Sequence, residues 1–234
     1  MLKPDLRVSD EDMMRHCFDL AKQAADQGEY PYAAVIVSKG KIVAETTNRV
    51  AQDGDVTRHA EMVAICMAQE ALGSTDLSDC TIYANMEPCA FCSYAIRESR
   101  IAKVAFSIRS PVMGGASRWN ILSDRVLSDT MPEVFAPPPV LLTEFLCEEG
   151  DTALRRNAPI VWAFMRSRGL LAEPSQHRTG ADRMPAADPA PGFVRIMELV
   201  MRRLRTNFFD RFGRGGGARL KRRLRAGKNA TPSP

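Results

Sequence analysis

TIYANMEPCAFCSYAIRESRIAKVAF, residues 81–106, passes from a strand-like stretch through a proline and a Cys-x-x-Cys pair to a second strand-like stretch. TIYAN (81–85) and AKVAFSI (102–108) are short and apolar, with β-branched and aromatic residues, and read as strands. Pro88 suits the start of a helix, where its missing N–H costs nothing, so the spacing predicts a helix over roughly 89–99. Cys89 and Cys92 then lie at that helix's beginning, where free N–H groups and the helix dipole favour thiolates. By itself the pair is open to a disulfide, a redox couple or half of a metal site.

Upstream, Ser9 followed by Asp12 predicts a capped helix start. Gly28 would close that helix, with Met14, Cys17 or Phe18, Ala21 and Ala25 on its apolar face. AAVIV (33–37) and KIVAETT (41–47), joined through Lys39-Gly40, predict a hairpin. Thr57 is placed to cap a helix running to Ala71, with Gly73 beyond its end. Downstream, PVMGGASRWN (111–120) reads as a loop, followed by a short helix near 121–128 and a strand at 140–142. Asn157 and Pro159 then predict a new helix to Arg168. Strands interleaved with helices after an initial hairpin predict an α/β layered domain.

At 234 residues and 25.9 kDa, with 45% hydrophobic and 26% charged residues, the chain can form one substantial domain and leave residues over. No apolar run reaches the ~18–20 residues that span a bilayer. MLKPDLRVSDEDMM lacks the apolar stretch of a secretory signal, so a cytoplasmic location is expected. In that setting the six cysteines argue for free thiols or metal ligands over disulfides. The net charge of +4 is unevenly spread. Residues 1–172 hold 18 Lys and Arg against 23 Asp and Glu, whereas residues 173–234 hold 14 against 5. The chain therefore divides at about 172 into an acidic folded domain and a basic extension. That extension reads as a linker (172–192), an amphipathic basic helix (about 193–212) and a disordered basic tail. Its charge and amphipathic pattern suit a polyanion, an acidic membrane surface, a partner groove or the domain's own surface, and equally a solvated extension with no specific partner.

RHAEM, upstream of the cysteines, supplies what the Cys-x-x-Cys pair lacks. His59 and Glu61 fall in the first turn of the predicted 57–71 helix. Two helix starts facing each other would bring one imidazole and two thiolates onto a single cation. Zinc suits that donor set, and three protein ligands leave a fourth position for water, as catalytic sites do. Glu61 is not needed as a ligand, so it can take the water's proton and return it to a leaving group. With 26 residues between Glu61 and Pro88, the order matches the zinc-deaminase signature H-x-E…P-C-x-x-C. A structural zinc site would need a fourth His or Cys. Cys66 is expected to pack in its helix, Cys80 and Cys147 have no ligand-spaced neighbour, and His16 and His177 lie in a surface helix and the linker.

On these residues the chain resembles the cytidine-deaminase-like superfamily of zinc-dependent nucleobase, nucleoside and nucleotide deaminases, over residues from about 10 to 170. NRVAQDGDVTRHAEM (48–62) and EPCAFCSYAIRESRIAKVAF (87–106) are similar to the branch holding guanine, cytosine and tRNA adenosine deaminases. The resemblance implies a three-layer α/β/α fold with a central five-stranded mixed sheet, and commonly a homodimer. It implies Zn2+ on His59, Cys89 and Cys92, with Glu61 as the catalytic proton shuttle. Asn48 would hold the substrate base, and the main-chain N–H of Ala60 would face the reacting ring. Two departures stand out. The approach strand has Ala33 and Ala34 where relatives often have a glycine, and Ser110 stands where the bacterial tRNA enzymes usually place an RNA-contacting Asp. Met113 and Trp119 could close over a small ring or pack in the core. With an acidic body, these features favour hydrolytic deamination of a free nucleobase or nucleoside. tRNA adenosine-to-inosine deamination is the alternative, and a catalytically idle zinc platform ranks third.

Overall fold

The computed structural model describes residues 9–172. The elements run α1 (Asp10–Asp26), β1 (Ala33–Ser38), β2 (Lys41–Thr47), α2 (Val50–Asp53), α3 (Ala60–Leu72), β3 (Cys80–Met86) and α4 (Ala90–Glu98). They continue with β4 (Lys103–Ile108), a 3-10 turn (Ile121–Ser123), α5 (Arg125–Thr130), β5 (Val140–Leu142), α6 (Cys147–Asn157) and α7 (Pro159–Ser167). The five strands form one sheet in the order β2-β1-β3-β4-β5. β1 is antiparallel to β2 and β3, whereas β3–β4 and β4–β5 are parallel. The expected five-stranded mixed sheet is present. The segment expected to form a helix over 193–212, and the linker and tail around it, lie outside the described residues.

β1 explains the layering. All six of its residues are buried, so both faces of the sheet are covered. Because strand side chains alternate, Ala33, Val35 and Val37 pack with Met14, Cys17, Phe18 and Ala21 of α1. Ala34 and Ile36 pack on the opposite side with Ala60, Ala64 and Ala68 of α3 and Ile96 of α4. A third cluster, including Met86, Ile108, Leu154 and Met165, seats α6 and α7 at the carboxyl ends of β3 and β4. Arg97, buried on α4, donates to the carbonyls of Ile121, Asp124 and Ala136 and to the Ser128 hydroxyl, fixing the segment that follows β4. No described helix is long and apolar enough to cross a membrane.

Two local expectations need correction, and one helix is added to them. α3 starts at Ala60 because Thr57 spends its hydroxyl and its N–H on the Asp55 carboxylate, at 2.7 and 2.8 Å, and His59 takes the N-cap position. Cys66 is exposed: Ala60, Ala64 and Ala68 face the sheet, and their helical register turns residue 66 outward. α6 was not foreseen. It begins after Leu146 at φ 54° with no side-chain cap, and it contains Gly150, which disfavours helix. That glycine is needed, since a Cβ there would lie 2.3 Å from Ser107 Oγ.

Candidate active site

The site lies beyond the carboxyl ends of parallel β3 and β4, where α/β sheets commonly bind ligands. β3 ends at Met86, and the chain turns through Glu87 and Pro88 to Cys89, the N-cap of α4. His59 is the N-cap of α3. Neither residue makes a side-chain capping bond, so both side chains are free to turn towards each other. His59 Nδ1 lies 3.6 Å from Cys89 Sγ and 3.4 Å from Cys92 Sγ, and the two sulfurs are 3.7 Å apart. A tetrahedral zinc with Zn–S of ~2.3 Å and Zn–N of ~2.0–2.1 Å requires donor separations of roughly 3.8 Å for S–S and 3.6 Å for S–N. The three donors fit zinc. Cys66, Cys80 and Cys147 do not join them, so the structural four-ligand alternative finds no fourth side chain among the described residues.

The electrostatics suit the same use. Hydrogen bonding from Cys92, together with His59, outweighs burial and lowers the Cys89 thiol to about 4, so Cys89 is a thiolate even without a metal. Cys92 is pushed upward, first by its partner Cys89 and then by its own burial. Glu61, on the first turn of α3, is buried, and desolvation raises its carboxyl above the ordinary 4.5. Its Oε2 is 3.5 Å from Cys92 Sγ. A buried carboxyl with a raised affinity for protons beside the metal ligands is equipped to carry one back and forth. Ala60, also buried, opens α3 and points its main-chain N–H out of the helix start.

Asn48 is 2% exposed and sits at the end of β2, its N–H donating to the Tyr32 carbonyl. Its side-chain amide donates to Glu29 Oε1 at 2.9 Å. Glu29 is itself buried and also accepts from the N–H groups of Tyr30, Ala51 and Gln52. This fixes the Asn48 amide, leaving its second N–H and its carbonyl oxygen for a ligand.

Glu87 organises the other wall. Only 4% exposed, its carboxylate accepts from the N–H groups of Ser110, Ala116 and Ser117 and from the Ser117 hydroxyl, at 2.7 to 3.1 Å. Burial raises its pKa, and these bonds oppose the rise. Gly114 pairs with Cys89, and the Gly115 N–H donates to the Pro88 carbonyl. A Cβ on Gly114 would strike the Glu87 carboxylate, and one on Gly115 would strike Ser93. Ser110 is buried, and its N–H is the group that engages Glu87. Met113 and Trp119, at 49% and 57% exposed, do not pack in the core.

Glu29 and Glu87 carry no local signal in the sequence. Their partners arrive from segments 19 to 30 residues away, through the fold. Only the place of Glu87 beside Pro88 hinted at a role.

The profile of the cytidine and deoxycytidylate deaminase zinc-binding region matches residues 7–108. A tRNA-specific adenosine deaminase from Aquifex aeolicus is 40% identical over 129 residues, spanning 53% of this chain and 85% of that enzyme. The chain belongs to the cytidine and deoxycytidylate deaminase zinc-binding family. This deaminase is also 37% identical over 118 residues to the chloroplastic tRNA(adenine(34)) deaminase of Arabidopsis thaliana, although it spans only 9% of that long protein. Among solved structures, one from a study of A-to-I editing by tRNA:A34 deaminases superposes with a TM-score of 0.55 at 30% identity. That match covers 62% of this chain and 99% of the other. The deaminase is thus a zinc-dependent hydrolase of the C–N bond, as the motif implied.

Proposed function

We propose that the deaminase converts an adenosine of tRNA to inosine, adding water and releasing ammonia. The observation that carries this is the 40% identity spanning 85% of the Aquifex aeolicus tRNA-specific enzyme. It reverses the order in which net charge and Ser110 ranked the substrates. A flipped nucleotide needs an accessible site, and His59 and Cys89 are only half-buried, with Phe91 exposed beside the His59 ring.

His59, Cys89 and Cys92 would hold zinc, which when bound would lower the pKa of a water towards ~7. Glu61 would accept that proton and deliver it to the ring nitrogen, then carry the proton of the added hydroxyl to the amine, so that ammonia leaves as the carbonyl forms. The Asn48 amide, held by Glu29, donates to and accepts from the base edge. The Ala60 N–H faces the reacting ring. The chain also forms a homodimer, we infer, through apolar residues left exposed on α3 and α4 away from the His59 ring: Met67, Leu72 and Tyr94. Light scattering of the full chain tests this, and a monomer at micromolar concentration would rule it out.

The deciding experiment incubates zinc-loaded protein with an anticodon stem-loop containing adenosine, and separately with free cytosine, guanine, adenine and their nucleosides. Inosine in the stem-loop, abolished by Glu61→Gln, is the expected result. Ammonia from a free base with none from the stem-loop would restore the small-molecule reading, which the net −5 of residues 1–172 and the missing Asp at Ser110 favour.

A further inference from the structure

The wall that Glu87 builds ends in a surface to which neither the fold nor the metal chemistry assigns a purpose. Residues 109–123 carry two cations, Arg109 and Arg118, and no acid, in a domain that is otherwise net negative. Trp119 is the most exposed aromatic side chain among the described residues, at 57%. The Arg118 guanidinium lies over its ring, 5.4 Å from the centroid. Val112 and Met113 are exposed on the same loop.

The loop is rigidly tied to the metal site. The N–H groups of Arg118 and Trp119 both donate to the Gly114 carbonyl, and Gly114 pairs with Cys89. The indole-bearing backbone is therefore two hydrogen-bonded steps from a metal ligand. Four hydrogen bonds to Glu87 and the close seating of Gly114 and Gly115 fix the loop's position. An aromatic ring presented to solvent on a fixed backbone costs little entropy on binding. A guanidinium beside it adds cation–π attraction and a phosphate partner.

We propose that Trp119, backed by Arg118, is a stacking platform for an unpaired base flanking the nucleotide in the active site. An RNA base fits better than a protein surface because the platform joins an exposed flat π-face to a cation, the combination that sequence-tolerant single-strand binders use. The acid that holds the loop, Glu87, is buried beneath it. The inference rests on the tRNA reading, whose target must leave its stack and so exposes its neighbours.

The full zinc-loaded chain contains two tryptophans. Trp162 is partly buried and donates its indole N–H to Asp151 at 2.9 Å, so Trp162→Phe leaves Trp119 as the sole reporter. Titrating that variant with the anticodon stem-loop should quench Trp119 emission in a saturable way. In parallel, Trp119→Ala should raise KM for the stem-loop by roughly 5- to 150-fold, the equivalent of ~1–3 kcal/mol per stacked base, with kcat within about twofold. Trp119→Phe should recover most of the loss, which a merely structural tryptophan would not predict. Inosine formation with flat emission and an unchanged Trp119→Ala KM overturns the platform and leaves the tRNA reading standing. Absence of inosine removes the tRNA reading and the platform with it, whatever the emission does. Emission that follows protein concentration, or deletion of residues 173–234, and not RNA would show that a second copy or the chain's own extension covers Trp119, and would also overturn it.

Discussion

Replacing Glu87 with glutamine tests whether the loop over the site is held by one buried carboxylate. Glu87 Oε2 accepts from the Ser110 N–H and the Ser117 hydroxyl, and Oε1 from the N–H groups of Ala116 and Ser117. A glutamine keeps one acceptor oxygen and sets an NH2 group where the other stood. In the less costly orientation that NH2 replaces Oε2. The Ser117 hydroxyl can rotate to accept from it, but the buried Ser110 N–H is left facing another donor. An orphaned buried donor costs ~1–3 kcal/mol, and the remaining bonds fall from charge-assisted to neutral strength. Relief of the buried charge offsets part of this, consistent with the upward pKa of Glu87. The net expectation is a loss of about 2–3 kcal/mol, or a fall in Tm of roughly 4–12 °C for a domain of this size. Calorimetry on the zinc-loaded protein measures it. KM at a temperature where both forms are folded should rise more than kcat falls, because the loop positions the substrate. Glu87→Ala, which leaves all four donors unpaired, should be worse. A Glu87→Gln protein with wild-type Tm and wild-type KM would show that the loop is held by other contacts.

Glu61→Gln should retain zinc at wild-type stoichiometry by atomic absorption while kcat falls by roughly 10²- to 10⁴-fold, the usual worth of a positioned acid–base group. Cys92→Ala should lose zinc, and its Tm should match that of chelator-treated wild type, because ligand binding to the folded state alone is what the metal contributes to stability. Asp10 gives a pH test. Although partial burial raises its carboxyl, the hydrogen bonds from Lys103 and Tyr83 hold it below the ordinary 3.8. A depressed carboxyl contributes stability that is present above 3.8 and lost as pH falls through its folded value. Urea titrations below about pH 4 should therefore show a flatter acid limb for Asp10→Asn than for wild type.

The metal site was legible because its residues lie close in sequence to two helix starts. His59 with Glu61, and Cys89 with Cys92, are each set by a single turn, so spacing alone places them. The sheet was legible because Ala33 to Val37 is a short, unbroken apolar run with β-branched residues, as a strand covered on both faces needs. The start of α3 was misplaced because Thr57 and Asp55 are both capping residues, and in sequence nothing tells which partner each will choose. α6 was hidden because it lacks a cap and contains a glycine whose need is set by Ser107 and Phe18, residues far away in the chain. Net charge is a weak guide to substrate because it averages the whole domain and hides a loop, residues 109–123, that carries Arg109 and Arg118 and no acid. The exposure of Met113 and Trp119 depends on how Gly114 and Gly115 seat the loop, which composition does not reveal.

Placing His59 and Cys89 at the N-caps of α3 and α4 has a consequence for local opening. Such positions are ordinarily filled by Ser, Thr, Asp or Asn, whose side chains satisfy the first free amides. Here neither residue does so, and the two helix beginnings meet at the donors that would grip one ion. Loading and stripping the metal should therefore change amide hydrogen exchange most at Ala60 and Glu61 and at Ala90 and Phe91. The interior of β1, buried on both faces, should exchange alike in both states. Such a pattern would make the first turns of α3 and α4 a single cooperative unit of the fold.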